Sequence, residues 1–263
     1  MKIKRLLQKI MENKWMLRSL PSSIYFNFHY LPINQAIKLP IILYKPHFIK
    51  CSGRIYIKGS VKFGMIQLGK PMVSIFPNNG IIWDNKGCIS FLGNAHIGNN
   101  SSISTGNTGM IEFGNNFRAT TTVRIISYDK ITFGENCLIG WDCLFTDTDF
   151  HFITKRDGSK TKGYGNITIG NNNWIANSCK IFKNTMTPDN IVIASSTIIN
   201  KSCIDIPEFS VIGTKTSISV ISEGWLDRLT RQSPWRSLTK TPTIFNGLSF
   251  KFATFATWNI KQT

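Results

Sequence analysis

A short acidic stretch that ends in a histidine is the part of this sequence best suited to chemistry. Asp147, Asp149 and His151 alternate along a polar segment rich in lysine and glycine. An imidazole can take a proton from a weakly acidic hydroxyl, and a carboxylate on its second ring nitrogen would hold the required tautomer. We therefore predict that His151 is a general base and that Asp149, Asp147 or a backbone carbonyl orients it. The alternative for both acids is that they are solvated charges of a loop.

The other three histidines are expected to have structural roles. His29 lies among aromatic residues, His47 follows a proline, and His96 comes just before an Ile-Gly pair. Lone histidines in such settings pack against neighbours or face solvent. His151 differs from them because it sits in a segment that interrupts a repeat.

That repeat has a period of six and predicts the elements that must position His151. Hexad starts are isoleucine with one threonine, at Ile169, Ile175, Ile181, Thr187, Ile193 and Ile199. Four residues after each start comes a second set, mostly small or β-branched, and polar residues lie between the two sets. Inward and outward positions alternate within each hexad, which predicts short strands that turn onto a new face every six residues. A helix would need a period of 3.6, so a solenoid of strands is favoured.

Several hexads match known motifs: Ile169-Gly170, Asn173-Trp174-Ile175-Ala176, Ile181-Phe182-Lys183-Asn184 and Val192-Ile193-Ala194-Ser195-Ser196. By these motifs the stretch from about Ile55 to Lys215 resembles the hexapeptide-repeat acyltransferases. It is closest to the maltose, galactoside and serine O-acetyltransferase-like members and to the polysaccharide O-acetyltransferases. The resemblance implies an all-β fold, a left-handed parallel β-helix with a short helical and aromatic N-terminal cap and an irregular C-terminal extension.

The resemblance also implies an activity, namely acetyl-CoA-dependent O-acetyl transfer to a sugar hydroxyl in surface polysaccharide biosynthesis (capsule, O-antigen or exopolysaccharide). His151 matches the catalytic histidine of the family, and no metal is expected. The acceptor would be a sugar or a lipid-linked glycan, and a homotrimer would place each site between two subunits. The residues expected to bind coenzyme A are Trp174, Ala176, Lys183, Ala194, Ser195, Lys201 and Lys215.

One segment departs from the family and keeps other functions open. Residues 213–216 read Gly-Thr-Lys-Thr where the family has Gly-Asn-Pro-Ala. A non-catalytic scaffold or glycan-binding β-helix that has lost coenzyme A binding is therefore one alternative. An N-acyltransferase acting on an amino sugar is another, since it would use the same base.

Charge and composition limit the kinds of ligand and the cellular compartment that this chain suits. The formal net charge is +17, and residues 1–50 hold nine Lys or Arg against one acid. Such an excess suits a membrane surface, an acidic glycan or a polyphosphate, whereas nucleic acid has only charge in its favour. The six cysteines form no CxxC pair, which favours reduced thiols and a cytoplasmic protein, with peripheral contact at the inner face of the membrane through the basic termini.

We expect three regions along the chain. Residues 1–50 form a basic amphipathic helix over Met1–Leu20, ended by Pro21, and then a cap on the first coils. Residues 51–215 form the β-helix, with a protruding loop at 147–166 where the hexads stop. A loop of this length has little structural use in a solenoid, so a functional role is expected for it. Residues 216–263 form the C-terminal extension.

Overall fold

The structure is a computed structural model that describes residues 17–214. Lys215, the extension 216–263 and all but the end of the predicted helix Met1–Leu20 lie outside the described residues. Two helices come first in the described range, α1 at Leu20–Tyr30 and α2 at Ile33–Ala36. Neither helix in this range has both the length and the apolar content needed to span a bilayer.

Pro21 lies inside the start of a helix instead of ending one, so the predicted boundary is wrong. A turn at Ser19 separates the preceding helical residues from α1, and Pro21 lies in the first turn of α1. The first turn of a helix tolerates proline because its backbone N–H groups have no partner within the helix.

Twenty short strands follow within the described range and form three parallel sheets, which each coil of the chain visits in turn. The first sheet contains, in spatial order, β1 (Ile41–Leu43), β4 (Ile66–Lys70), β7 (Ala95–Gly98), β10 (Phe117–Ala119), β13 (Leu138–Ile139), β16 (Trp174–Ile175), β18 (Val192–Ile193) and β20 (Val211–Ile212). The second contains β2 (Pro46–Cys51), β5 (Ile81–Asn85), β8 (Ser101–Thr105), β11 (Arg124–Ser127), β14 (Leu144–Thr146), β17 (Lys180–Phe182) and β19 (Ile198–Ile199). The third contains β3 (Arg54–Ile57), β6 (Cys88–Phe91), β9 (Met110–Phe113), β12 (Lys130–Phe133) and β15 (Ile167–Ile169).

This arrangement confirms the predicted fold class. Every pair of neighbouring strands is parallel and joins one coil to the next, as in a parallel β-helix, and it is consistent with the left-handed form that the resemblance implies. The hexad starts from Ile169 to Ile199 are all buried, as are the small residues of the second set. Cys137, Cys143, Cys179 and Cys203 are buried wall residues with free thiols, as predicted.

Phenylalanines fill the middle of the coil. Phe113 stacks on Phe91 and on Phe133 with ring centroids 5.1 and 5.6 Å apart, and Phe117 packs against both Phe113 and Phe133. All four side chains are at most 1 % exposed. Equivalent positions in successive coils therefore build a continuous apolar column, which holds the coils in register.

The corners of the coil use asparagine where the backbone enters the left-handed region. Asn116, Asn136, Asn172 and Asn190 have φ values of 59, 56, 54 and 57°. Asparagine tolerates this conformation better than other residues with a Cβ atom. The side chains also form a ladder along the corner, each amide donating to the next oxygen at 2.9–3.0 Å, and Asn190 donates to Glu208.

Helix α1 caps the open edge of the first sheet, which confirms the predicted cap. Ser19, Ser23 and Asn27 recur every four residues on its inner face, and their side-chain oxygens accept hydrogen bonds from the N–H groups of Lys45, Leu43 and Ile41 at 2.9–3.1 Å. The spacings match because four residues of a helix and two residues of a strand each span roughly 6 Å. The N–H groups of the edge strand β1 are thus satisfied within the chain.

Replacing Asn27 by alanine is expected to lower the free energy of unfolding by about 1–3 kcal/mol, because it leaves buried backbone groups unpaired. Asn27 is fully buried, accepts from the Ile41 N–H and donates to the carbonyl groups of Ser23 and Ile41. Urea unfolding of the variant measures the loss. Asn34→Ala, at an exposed position of α2, is the matched control. An equal effect of the two substitutions would contradict the role of Asn27 in the cap.

Candidate active site

The segment that interrupts the hexads is a small antiparallel arm. It spans residues 147–166, between the end of β14 at Thr146 and the start of β15 at Ile167. Thr148 bridges Tyr164 and Thr154 bridges Lys160, both antiparallel, and Gly158 turns the tip with a φ of 81°. His151 therefore lies at a bend on the outgoing side of this arm, between the two bridges.

Asp147 anchors the base of the arm to the preceding coil. Its fully buried carboxylate accepts hydrogen bonds from Ser127 Oγ at 2.7 Å and from the N–H groups of Tyr128 and Asp129 at 2.7 and 2.9 Å. Burial raises the pKa of the Asp147 carboxyl above its ordinary value, and the three donated bonds oppose that rise. The carboxylate thus organises the turn at residues 127–129, and the predicted bond from Asp147 to His151 is absent.

The raised pKa of Asp147 has a consequence for stability. The folded state favours the protonated carboxyl, so its contribution to stability is fully present below the unfolded-state pKa of about 3.9 and is lost as the pH rises through the folded-state pKa. Asp147→Asn cannot ionise. We expect the stability difference between wild type and this variant to shrink with rising pH in urea unfolding. A stability difference that stays constant or widens with rising pH would contradict a raised pKa for Asp147.

Asp149 also has another partner. Its carboxylate forms an ion pair with the ammonium group of Lys183, which in turn donates to the carbonyl of Lys162 at 3.1 Å. Lys183 thereby joins the arm to the coil that follows it. Two predictions change: Asp149 does not orient His151, and Lys183 is held at the arm instead of facing solvent for a phosphate group. Among the described residues, the His151 ring forms no hydrogen bond.

His151 opens onto a pocket of about 560 Å³ between the arm and the coil. The wall combines aromatic rings with polar groups: Thr108, Tyr128, Asp129, Thr148, Phe150, His151, Phe152, Gly163 and Tyr164. Tyr128 and Phe150 meet edge to face with centroids 5.3 Å apart, and the Lys162 ammonium lies 4.7 Å from the centre of the Tyr164 ring. An exposed imidazole beside flat rings and hydroxyl groups can hold a polyhydroxylated molecule and take a proton from it.

Three pocket residues lie outside the loop at 147–166 for which the sequence predicted a functional role: Thr108, Tyr128 and Asp129. They belong to earlier coils, and the Thr108 hydroxyl donates to the Tyr128 carbonyl at 2.8 Å. Phe145 lies opposite Ile125 in the sheets, 20 residues earlier. Stepping back by that distance from Asp149 leads to Asp129, so the coil length was the available signal.

The predicted coenzyme A residues divide between two edges of the coil. Trp174 lies on β16 with 42 % of its surface exposed, pointing outward as predicted. Ala176 and Ala194 stack at the corner that leads from the first sheet to the second, where their N–H groups donate to the carbonyls of Ile193 and Ile212. Ser195 is exposed beside them, and its hydroxyl donates to Asn177 at 2.7 Å.

The lysines lie at the next corner, between the second and third sheets. Lys183 follows β17, and the exposed Lys201 follows β19 one coil further on. His151 shares this corner because its arm leaves the coil after β14. The structure therefore does not bring the whole predicted set together in one chain, since the width of the second sheet separates the small residues from the lysines and His151.

No family model matches this chain. A protein of Klebsiella pneumoniae, described as an uncharacterised 24.8 kDa protein in the cps region, is 28 % identical over 137 residues. The matched stretch covers 50 % of this chain and 60 % of that protein, so it spans less than two thirds of the relative. A solved structure, the polySia-specific acetyltransferase NeuO, is 14 % identical with a TM-score of 0.46, covering 71 % of this chain and 78 % of that one.

Proposed function

We propose that this protein is an acetyl-CoA-dependent acyltransferase that moves an acetyl group to a sugar hydroxyl, with His151 as the general base. The observation that carries the proposal is the position of His151, exposed on an arm that leaves a hexad β-helix and facing a pocket of about 560 Å³. A structural arm would not need an exposed imidazole at the mouth of a cavity.

The pocket favours a sugar as the acceptor. Tyr128, Phe150 and Tyr164 offer flat apolar faces for the C–H side of a sugar ring, while Thr108 and Asp129 offer partners for hydroxyl groups. The relative in the cps region of Klebsiella pneumoniae is consistent with an acceptor in surface polysaccharide biosynthesis, as a sugar or a lipid-linked glycan.

The edge with Ala176 and Ala194 fits the acyl donor. Small residues at this corner leave the backbone open to a narrow chain such as the pantetheine arm. Because this edge and His151 lie at different corners of one chain, we propose a homotrimer in which His151 faces the Ala176 edge of a neighbour. Of the three lysines expected to bind phosphate groups, Lys183 pairs with Asp149 and Lys215 lies outside the described residues, which leaves Lys201.

His151 performs one proton transfer in each direction. The thioester of acetyl-CoA supplies the acyl group. His151 takes the proton from the acceptor hydroxyl as that oxygen bonds to the acetyl carbon, and the carbon–sulfur bond breaks. The imidazolium then returns the proton to the thiolate of coenzyme A. The acyl group passes directly between the two substrates, and the wall of the pocket orients the acceptor for it.

The test measures acetyl-CoA binding by calorimetry and release of free thiol by the full-length protein, with and without oligosaccharide acceptors. Binding together with acceptor-stimulated thiol release supports the proposal. A folded protein that neither binds acetyl-CoA nor releases thiol would overturn it.

The same assay separates the competing functions. The diversion of Lys183 to Asp149 favours the glycan-binding scaffold, because it removes one expected phosphate contact. Glycan binding without acetyl-CoA binding would establish that scaffold. Thiol release only with an amino sugar, and an amide in the product, would establish N-acyl transfer.

A further inference from the structure

The cap helix α1 has apolar residues on both sides: Phe26 is buried against the coil, and a second apolar set faces outward. Its inner face presents Ser19, Ser23 and Asn27 to β1, as described above. Its opposite face carries Pro21, Ile24, Tyr25 and Phe28, which we call the outer stripe. Spacings of three and four residues place these side chains on one side of the helix.

The outer stripe is exposed to solvent. Ile24, Tyr25 and Phe28 are 41, 56 and 47 % exposed, and Ile33 at the start of α2 and Ile37 just after it are 65 and 63 % exposed. Single exposed apolar residues are ordinary on a protein surface. A continuous apolar stripe along the exposed side of a helix is not ordinary, and it indicates a surface that something apolar covers.

The described residues at this end of the chain are basic. Residues 17–83 contain eight Lys or Arg and no Asp or Glu. Six of these bases are exposed: Arg18, Lys38, Lys50, Arg54, Lys58 and Lys62. An apolar strip within a positively charged surface matches the interface of a bilayer that contains anionic lipids.

Two hydrogen bonds place the first coil's bases next to the helices. His29 Nε2 lies 2.7 Å from the carbonyl oxygen of Cys51, so the end of α1 adjoins the corner between Lys50 and Arg54. Gln35 of α2 donates to the Ile57 carbonyl at 3.4 Å, next to Lys58, which pairs with Glu112 at 3.6 Å. The positive charges and the outer stripe therefore belong to one surface.

We infer that the cap is a membrane-docking surface, in which the outer stripe of α1 enters the interface of an anionic bilayer and the surrounding bases contact lipid headgroups. Tyr25 suits this depth because its ring is apolar and its hydroxyl stays hydrated. Docking is independent of the acyl transfer proposed above, and it would present the pocket to a lipid-linked acceptor.

The test is vesicle flotation of the full-length protein. One set of vesicles is phosphatidylcholine, and the other is phosphatidylcholine and phosphatidylglycerol in equal parts. We expect binding to the anionic vesicles alone and weaker binding as salt is raised. The variant Ile24→Ser/Tyr25→Ser/Phe28→Ser should bind at least about tenfold more weakly, because it loses the apolar side chains that insert.

The matched control is Ile198→Ser/Ile204→Ser/Val211→Ser, which removes three exposed apolar residues at the other end of the coil, 56, 48 and 68 % exposed. This control should bind anionic vesicles like the wild type, and thermal unfolding verifies that both variants are folded. Absence of wild-type binding would overturn the inference. Equal vesicle binding by the α1 variant and the wild type would also overturn the inference. If that variant changed only the oligomeric state, the outer stripe would be covered by a second copy of the chain and not by a membrane.

Discussion

Substitution of His151 by alanine is expected to lower the rate of acetyl transfer by about 10²–10⁴-fold, the usual contribution of a general base. The acceptor hydroxyl is then left without a group to take its proton as it attacks the thioester. Affinity for acetyl-CoA should stay near the wild-type value, because the proposed role of His151 is to take the proton of the acceptor hydroxyl and not to hold the donor. The measurement is acceptor-dependent thiol release, with donor binding followed separately by calorimetry.

Two features make this experiment specific to catalysis. His151 is exposed and forms no hydrogen bond among the described residues, so its loss should leave thermal unfolding unchanged. Added imidazole should restore part of the activity of the alanine variant. His47→Ala, at an exposed position on β2, is the matched control and should be fully active. Full activity of His151→Ala would remove His151 from the reaction, while loss of donor binding would indicate a different role for the arm.

Substitution of Phe133 by alanine is expected to lower the free energy of unfolding by about 3–5 kcal/mol, the range for buried aromatic residues. Phe133 is 1 % exposed and packs against three other rings, Phe113, Phe117 and Phe145, with centroids 4.8–5.6 Å apart. A cavity at this point would interrupt the apolar column between neighbouring coils. The strands there are too short to realign and fill it.

The measurement is urea unfolding followed by circular dichroism. Phe63→Ala is the matched control, since Phe63 is 64 % exposed, and its effect should stay within about 0.5 kcal/mol. An effect of Phe133→Ala as small as that of the control would show that the column does not hold the coils together.

The fold could be predicted because its pattern of burial depends on residues that are close together in the chain. Burial in a β-helix repeats within each hexad, so Ile169, Ile175 and Ile181 could be assigned to the core before any long-range pairing was known. The asparagines at the corners were predictable for the same reason, because the need for positive φ depends on one residue and its neighbours. His151 stood out because the arm around it breaks that period.

The residues that surround His151 were harder to predict from the sequence. Contacts between coils depend on coil length, and that length varies: Phe113 pairs with Phe91 at a separation of 22 residues and with Phe133 at 20. A periodic pattern therefore did not indicate that Asp149 would meet Lys183, which lies beyond the arm in the chain. The carboxylates near His151 in the chain are instead occupied by neighbours in space.

What the sequence by itself determined is the winding of the chain, its core, its corners and the place of the arm, since each depends on residues a few positions apart. Only the tertiary structure decided which groups surround His151 and which side of α1 faces out. An outward apolar stripe resembles an inward one in sequence. The orientation of α1 is set because Ser19, Ser23 and Asn27 accept hydrogen bonds from backbone N–H groups at the edge of β1. That strand comes after the helix in the chain but lies beside it in the fold.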